Sequence, residues 1–208
     1  VAGRKDPIGR VKLAFLASRN GSAFRAAVEA VGRGRLAADV VLLASNTAKA
    51  PALDFARERG VPCKVIPTAA DPAAGDRALA DALAASGADW VVLSGYLRRI
   101  GPAVLARFPD RILNIHPGPL PAFGGEGMYG RRVHEAVIAA GVPASEVTIH
   151  LVDGEYDHGR VLGRWPVPVA AGDTPEALEQ RVTALEPEVM TRTLIALAEG
   201  RLEGFQAS

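Results

Sequence analysis

The chain has 208 residues, with 24 Lys and Arg against 23 Asp and Glu, a net charge of +1, 49% hydrophobic residues and 23% charged ones. That balance excludes a chain that is mainly disordered, which would lack apolar material. It also excludes a nucleic-acid binder that works by bulk charge, which needs a basic surplus to neutralise phosphates. Residues 1–10, VAGRKDPIGR, carry charge but lead into no signal-peptide core, and are expected to be an N-terminal extension outside the fold. From there short β-branched runs alternate with Ala/Arg/Glu segments. Strands are expected at 12–18, 39–45, 63–67, 90–95 and 111–116, and helices at 21–33, 50–60, 74–86 and 102–108. Apolar runs with few polar breaks suit strands buried on both faces, and the β–α–β–α order implies a doubly wound, mostly parallel α/β sheet.

The rhythm changes near Pro121. A glycine-rich loop, FGGEGMYG, leads to a helix at 129–140. Strands at 146–152 and 161–169 are joined by the acidic turn DGEYDHG, which favours an antiparallel hairpin. A last helix starts with Thr174 as N-cap and Pro175 at its first position, runs to Glu199 and stops at Gly200. Residues 11–208 are thus expected to form one domain of two halves, 11–110 and 111–208. With 5% aromatic residues, its core has to come mainly from Val, Leu, Ile and Ala. The single cysteine, Cys63, suits a reducing cytoplasm, and no Cys/His cluster has metal-ligand spacing. No apolar stretch reaches the roughly 18 residues that span a bilayer.

Two places carry chemistry. The first strand runs into Ser18, Arg19, Asn20, Gly21 and Ser22, with a helix following at once. Ligands of open α/β sheets gather beyond the carboxyl ends of strands, and a helix N-terminus there attracts a phosphate. The alternative is a plain Asn/Ser helix cap with no ligand. Dinucleotide binding fits poorly, because RNGSAF lacks the G-x-G-x-x-G spacing and Asp39 is misplaced to hold a ribose. Second, RILNIHP puts Asn114 and His116 two residues apart on one side of a strand. Polar residues at the end of a buried strand are costly unless paired or working. A structural histidine satisfied by a backbone carbonyl is the competing reading.

LNIHPGPLP followed by TIHLVDGEYDHG resembles the signature of the folate-dependent formyltransferases, and VVLSGYLRRI resembles their strand and loop beside the folate. The likeness runs from about Val11 to Leu202. It implies a Rossmann-like formyltransferase fold with catalytic Asn114, His116 and Asp157. The loop RNGS is similar to that of members acting on a phosphoribosylated amine, with Arg19 where those carry glycine. The resemblance therefore implies transfer of the formyl group of 10-formyltetrahydrofolate, as co-substrate, to 5-phosphoribosylglycinamide, in purine biosynthesis and without a metal. Arg19, Asn20, Gly21, Ser22, Thr183 and Glu186 would hold the phosphoribosylglycinamide, Glu186 at its amine. The first half of the chain would carry that substrate, and the second the catalytic and folate-binding residues.

Carried over residue by residue, the folate contacts would be Arg77, Leu97, Arg98, Arg99, Ile100, Asn114, Asp153, Gly154, Glu155, Tyr156 and Asp157. Asn114 and His116 would stabilise the oxyanion of the reaction, and Asp157 would orient His116 and raise its pKa. The loop FGGEGMYGRR is longer and richer in glycine than its family counterpart. It is either a mobile lid or a rigid loop built on positive-φ glycines. His134 and His150 are read as structural, with a supporting role left open for His150, and His158 has no assigned role. Formyltetrahydrofolate deformylase and methionyl-tRNA formyltransferase share the chemistry but usually carry an additional domain, for which 208 residues leave no room. A silent folate- or nucleotide-binding module would have no need of all three polar residues. Small-molecule partners, no nucleic acid or membrane, and a monomer or homodimer complete the expectation.

Overall fold

A computed structural model describes residues 10–202, so most of the expected N-terminal extension lies outside the described residues. Arg10, at its end, is already tied to the sheet, with Nε 2.9 Å from Asp39. The first half runs β1 (Val11–Leu16), α1 (Ser22–Gly32), β2 (Ala38–Ser45), α2 (Pro51–Glu58), β3 (Cys63–Val65), α3 (Pro72–Ala85), β4 (Trp90–Leu93) and α4 (Pro102–Arg107). The second half runs β5 (Ile112–His116), α5 (Arg131–Ala139), β6 (Ala144–Leu151), β7 (Val161–Pro168) and α6 (Pro175–Ala198). Every expected element is present. Strands end earlier than their apolar runs suggest, most clearly β1 and β3. The residues beyond them turn away to form the loops at the carboxyl edge.

The seven strands form one sheet in the order β3-β2-β1-β4-β5-β6-β7. Pairing is parallel from β3 to β5 and antiparallel through β6 and β7. The fold is therefore the expected Rossmann-like, mostly parallel α/β sheet with an antiparallel hairpin at one end. Alternation along each strand divides two cores. Leu13, Phe15, Leu43, Val92 and Leu113 face one side, whereas Ala14, Leu16, Leu42, Val91 and Ile112 face the other. The first side is covered by α1, α2, α5 and α6 and the second by α3 and α4. Phe15 and Phe24 are fully buried with ring centroids 5.4 Å apart, and each contributes about 1.5–3 kcal/mol by leaving water.

Helix ends follow local chemistry. The Asp71 carboxylate accepts from Ala74 N at the start of α3 (2.9 Å), and Thr174 Oγ1 accepts from Ala177 N at the start of α6 (3.3 Å). The start of α4 is capped from another element: buried Asp76 accepts from Ala103 N (2.7 Å) and Val104 N (3.3 Å). Pro187 lies inside α6, where it removes one backbone donor and leaves the Thr183 carbonyl without its helical partner. Among the described residues, no helix is long and apolar enough to cross a membrane.

Candidate active site

The chain moves outward from β1 to β3 and then returns to β4 on the other side of β1, so the switch of direction lies between β1 and β4. Loops leaving these two strands diverge there and open a crevice. Ser18 stitches the loops together: its Oγ donates to Asn46 Oδ1 (2.6 Å) after β2 and accepts from Leu97 N (2.8 Å) after β4. Gly21 adopts φ 63°, and a Cβ there would press on Ala17 and Ala52 at 3.3 and 3.2 Å. Neither Asn20 nor Ser22 caps α1, so the plain-cap reading of this loop fails. Instead Ser94 Oγ, from the end of β4, accepts from Phe24 N at 3.1 Å. Arg19 and Asn20 stand exposed above the loop.

The second constellation is built by register. Asn114 pairs with His150 and His116 with Thr148 across β5 and β6, which puts four polar side chains on one face. Leu113, Ile115, Val147, Ile149 and Leu151 take the other, apolar face. Asp157 arrives from the β6–β7 loop. Its Oδ2 lies 3.4 Å from His116 Nδ1 and accepts from Gly125 N at 3.1 Å, while its Oδ1 lies 3.5 Å from both Asn114 Nδ2 and His150 Nε2. The structure thus brings Asn114, His116 and Asp157 together.

Proton positions follow from the carbonyls. His116 Nε2 donates to Phe123 O (2.8 Å), and His150 Nδ1 donates to Leu151 O (2.8 Å). In that tautomer His150 Nε2 accepts an Asn114 amide N–H at 3.0 Å. The second Asn114 N–H is left with only the long approach to Asp157. Burial would raise the Asp157 carboxyl, but its contacts with the His150 and His116 rings and with the Gly125 N–H together hold it below its ordinary value. His116 departs from expectation. Burial lowers its pKa, and the opposing pull of Asp157 and of the Phe123 carbonyl is the smaller effect, so the free protein favours the neutral ring.

Thr148, Glu146 and Arg164 are not singled out from sequence, and the part played by the glycine-rich loop stays open there. The glycine-rich loop reaches Asp157 directly, since a Cβ on Gly124 would lie 2.9 Å from Asp157 Cβ. Gly125, Gly127 and Gly130 take positive φ, as the rigid-loop reading required. Under this loop, Thr148 Oγ1 donates to Gly118 O (2.8 Å), and Arg164 reaches both Glu146 and Leu120 O (2.8 Å for the latter). These contacts brace the turn whose Phe123 carbonyl meets His116. The GG dipeptide was the available signal for the loop; Glu146 and Arg164, two strand residues, offered none. His158, exposed, lies with Nδ1 2.8 Å from Asp153 Oδ2, and that contact raises its pKa. His134 is buried on α5, with Nδ1 unpaired in hydrogen bonding, and burial lowers its pKa.

A cleft of about 840 Å³ opens along α3, α4 and the β4–α4 loop, with Gly154, three residues before Asp157, in its lining; Asn114, His116 and Asp157 do not line it. Of the expected folate contacts, Arg77, Arg98, Arg99, Ile100 and Gly154 line it. Leu97 and Tyr156 are exposed nearby along the chain but do not line it, and neither do Asp153 and Glu155. Tyr96 also lines it, and burial raises its pKa. On α6, Thr183 is exposed and Glu186 half-buried. Burial without a compensating partner pushes the Glu186 carboxyl up to about 7.

Comparison with known proteins gives a consistent result. The family model described as "Formyl transferase" matches residues 11–194. A phosphoribosylglycinamide formyltransferase, chloroplastic, from Arabidopsis thaliana is 43% identical over 197 residues, covering 93% of this chain and 68% of that protein. A phosphoribosylglycinamide formyltransferase from Mycobacterium tuberculosis is 38% identical over 197 residues, covering 94% of this chain and 88% of its own. Among solved structures, glycinamide ribonucleotide transformylase 1 from Symbiobacterium toebii superposes with a TM-score of 0.86 at 35% identity, covering 96% of this chain and 94% of that one.

Proposed function

The chain belongs to the formyl transferase family, and from that premise we propose that it moves the formyl group of 10-formyltetrahydrofolate to the primary amine of 5-phosphoribosylglycinamide, a step of purine biosynthesis. The observation that carries the reading is the meeting of Asn114 and His116 of β5 with Asp157 of the β6–β7 loop, a loop whose Gly154 also lines the cleft. A cleft of that size suits a flat heteroaromatic co-substrate. Arg77, Arg98, Ile100 and the Gly154 backbone are the groups available to hold it. The loop of Arg19, Asn20, Gly21 and Ser22 would take the phosphate, with Thr183 and Glu186 at the glycinamide end. The first half of the domain would thus serve the phosphoribosyl substrate and the second the chemistry.

The amine is nucleophilic when neutral, so the chain has to align the reactants and manage charge and protons. Attack builds negative charge on the formyl oxygen. The Asn114 N–H that leans loosely on Asp157 is free to turn toward that oxygen, and the His116 Nε2–H can exchange the Phe123 carbonyl for it. The amine must lose one proton and the leaving folate nitrogen must gain one. The His116–Asp157 pair can carry that exchange. A monomer or homodimer in a reducing compartment such as the cytoplasm, with small-molecule partners only, completes the proposal.

The direct test mixes the protein with both substrates and follows formyl loss by absorbance. Loss that depends on 5-phosphoribosylglycinamide supports the reading, whereas loss that proceeds equally without the amine would assign the chain to hydrolysis.

Glu186 supplies a second test. Its carboxyl ionises only near pH 7, so the KM for the amine substrate should fall as pH rises through that value. Glu186→Gln should raise this KM about 10–100-fold, the worth of one charge-assisted hydrogen bond, and flatten its pH dependence. Because its folded pKa is raised from 4.5, Glu186 costs stability as pH climbs from 4.5 through about 7. The Gln variant should therefore be more stable than wild type at pH 8, by less than about 3 kcal/mol, and not at pH 4. Urea unfolding at the two pH values checks the sign.

A further inference from the structure

Asp157 holds a backbone conformation that side chains rarely adopt, φ 53°. Such a conformation persists only where its surroundings over-determine it. Several restraints lie within the same segment. Asp153 accepts from Glu155 N at 2.9 Å and meets His158 at 2.8 Å, and Gly159 packs against the Leu151 backbone. Others come from elsewhere in the chain: the Gly125 N–H meets the Asp157 carboxylate itself, and Arg99 meets its loop. Arg99, on the loop between β4 and α4, donates through Nη2 to the Gly154 carbonyl and lies over the Tyr156 ring, 5.6 Å from its centroid. Arg99 and Gly154 both line the cleft, on loops that leave different strands.

We propose that Arg99 is a positioning residue, a clasp that joins the two loops at the rim of the cleft and holds Asp157 beside His116 before substrate arrives. The inference deepens the proposed function and rests on it for the role of Asp157. A guanidinium suits the task because its flat face stacks on an aromatic ring while its edge donates hydrogen bonds, whereas an ammonium loses the fit. With one edge on Gly154 and its face on Tyr156, Arg99 acts on the reaction through the loop. The expectation that it contacts folate directly would make it a binding group only.

Arg99→Met, Arg99→Lys and Tyr156→Leu separate these roles. Amide hydrogen exchange of residues 153–159 is measured in the protein without substrates, alongside formyl-transfer kinetics. The clasp requires faster exchange in that segment in Arg99→Met and Tyr156→Leu, with exchange in β5 and β6 unchanged and Arg99→Lys intermediate. It also requires kcat to fall about tenfold in Arg99→Met, as misplacing a reacting group does. A raised KM for 10-formyltetrahydrofolate with kcat and exchange unchanged would overturn the clasp and leave a folate contact. Exchange needs no substrate, so it reads the clasp even if wild-type protein transfers no formyl group, and the two failures are told apart.

Discussion

Replacing His116 with alanine lowers kcat/KM for formyl transfer by about 10²–10⁴-fold, the range lost with a positioned acid or an oxyanion donor. The fold survives, because β5 is anchored by Leu113 and Ile112, which face the two cores, and not by the imidazole. Asp157→Asn, which preserves shape and removes charge, costs a comparable factor. The two side chains meet at 3.4 Å and serve one proton exchange in the proposed reaction, so the double variant is no worse than the more damaged single one. Steady-state kinetics of the three variants check this, and losses that multiply would break the pair into independent residues. An NMR titration of His116 adds a sign. Burial already lowers its pKa and Asp157 pulls it back up, so Asp157→Asn moves it lower still; a rise would reverse the electrostatic account.

Most of the scaffold was legible in the chain because its causes are local. Buried strands read as apolar runs, Thr174 and Pro175 announced α6, and Asn114 and His116 shared a face by simple alternation. What stayed hidden depends on contacts between distant segments. The strand ends of β1 and β3 are set by where neighbouring strands stop pairing, and no propensity reports that. His150 joins Asn114 only because β5 and β6 take one particular register, with an irregularity between Ile149 and His150 where β7 carries the additional Leu162. The pKa of His116 was misjudged for a similar reason. The carboxylate is visible in the motif, but the desolvation that outweighs it comes from the loop folded over the ring. Arg99 enters the expected folate contacts because VVLSGYLRRI as a whole carries the resemblance, and that stretch says nothing of what else Arg99 meets. Its partners, Gly154 and Tyr156, lie more than fifty residues further along.

Gly159→Ala destabilises the protein by about 1–3 kcal/mol and lowers activity by at least about tenfold. A Cβ built on Gly159 falls 1.9 Å from the Leu151 carbonyl oxygen and 2.8 Å from its carbon. That carbonyl cannot retreat, since β6 is hydrogen-bonded to β5 on one side and β7 on the other, and Leu151 N donates to Arg160 O at 2.9 Å. The displacement therefore falls on the loop, two residues from Asp157 and its strained backbone. Gly32, at the end of α1 and outside the site, is the control: nothing lies within 4 Å of a Cβ there and its φ is not positive, so Gly32→Ala leaves stability and turnover near wild type. Urea unfolding and kinetics of both variants read the contrast. A Gly159→Ala protein as stable and active as Gly32→Ala would mean that the loop yields freely, and that the place of Asp157 does not depend on how tightly its loop is pressed against β6.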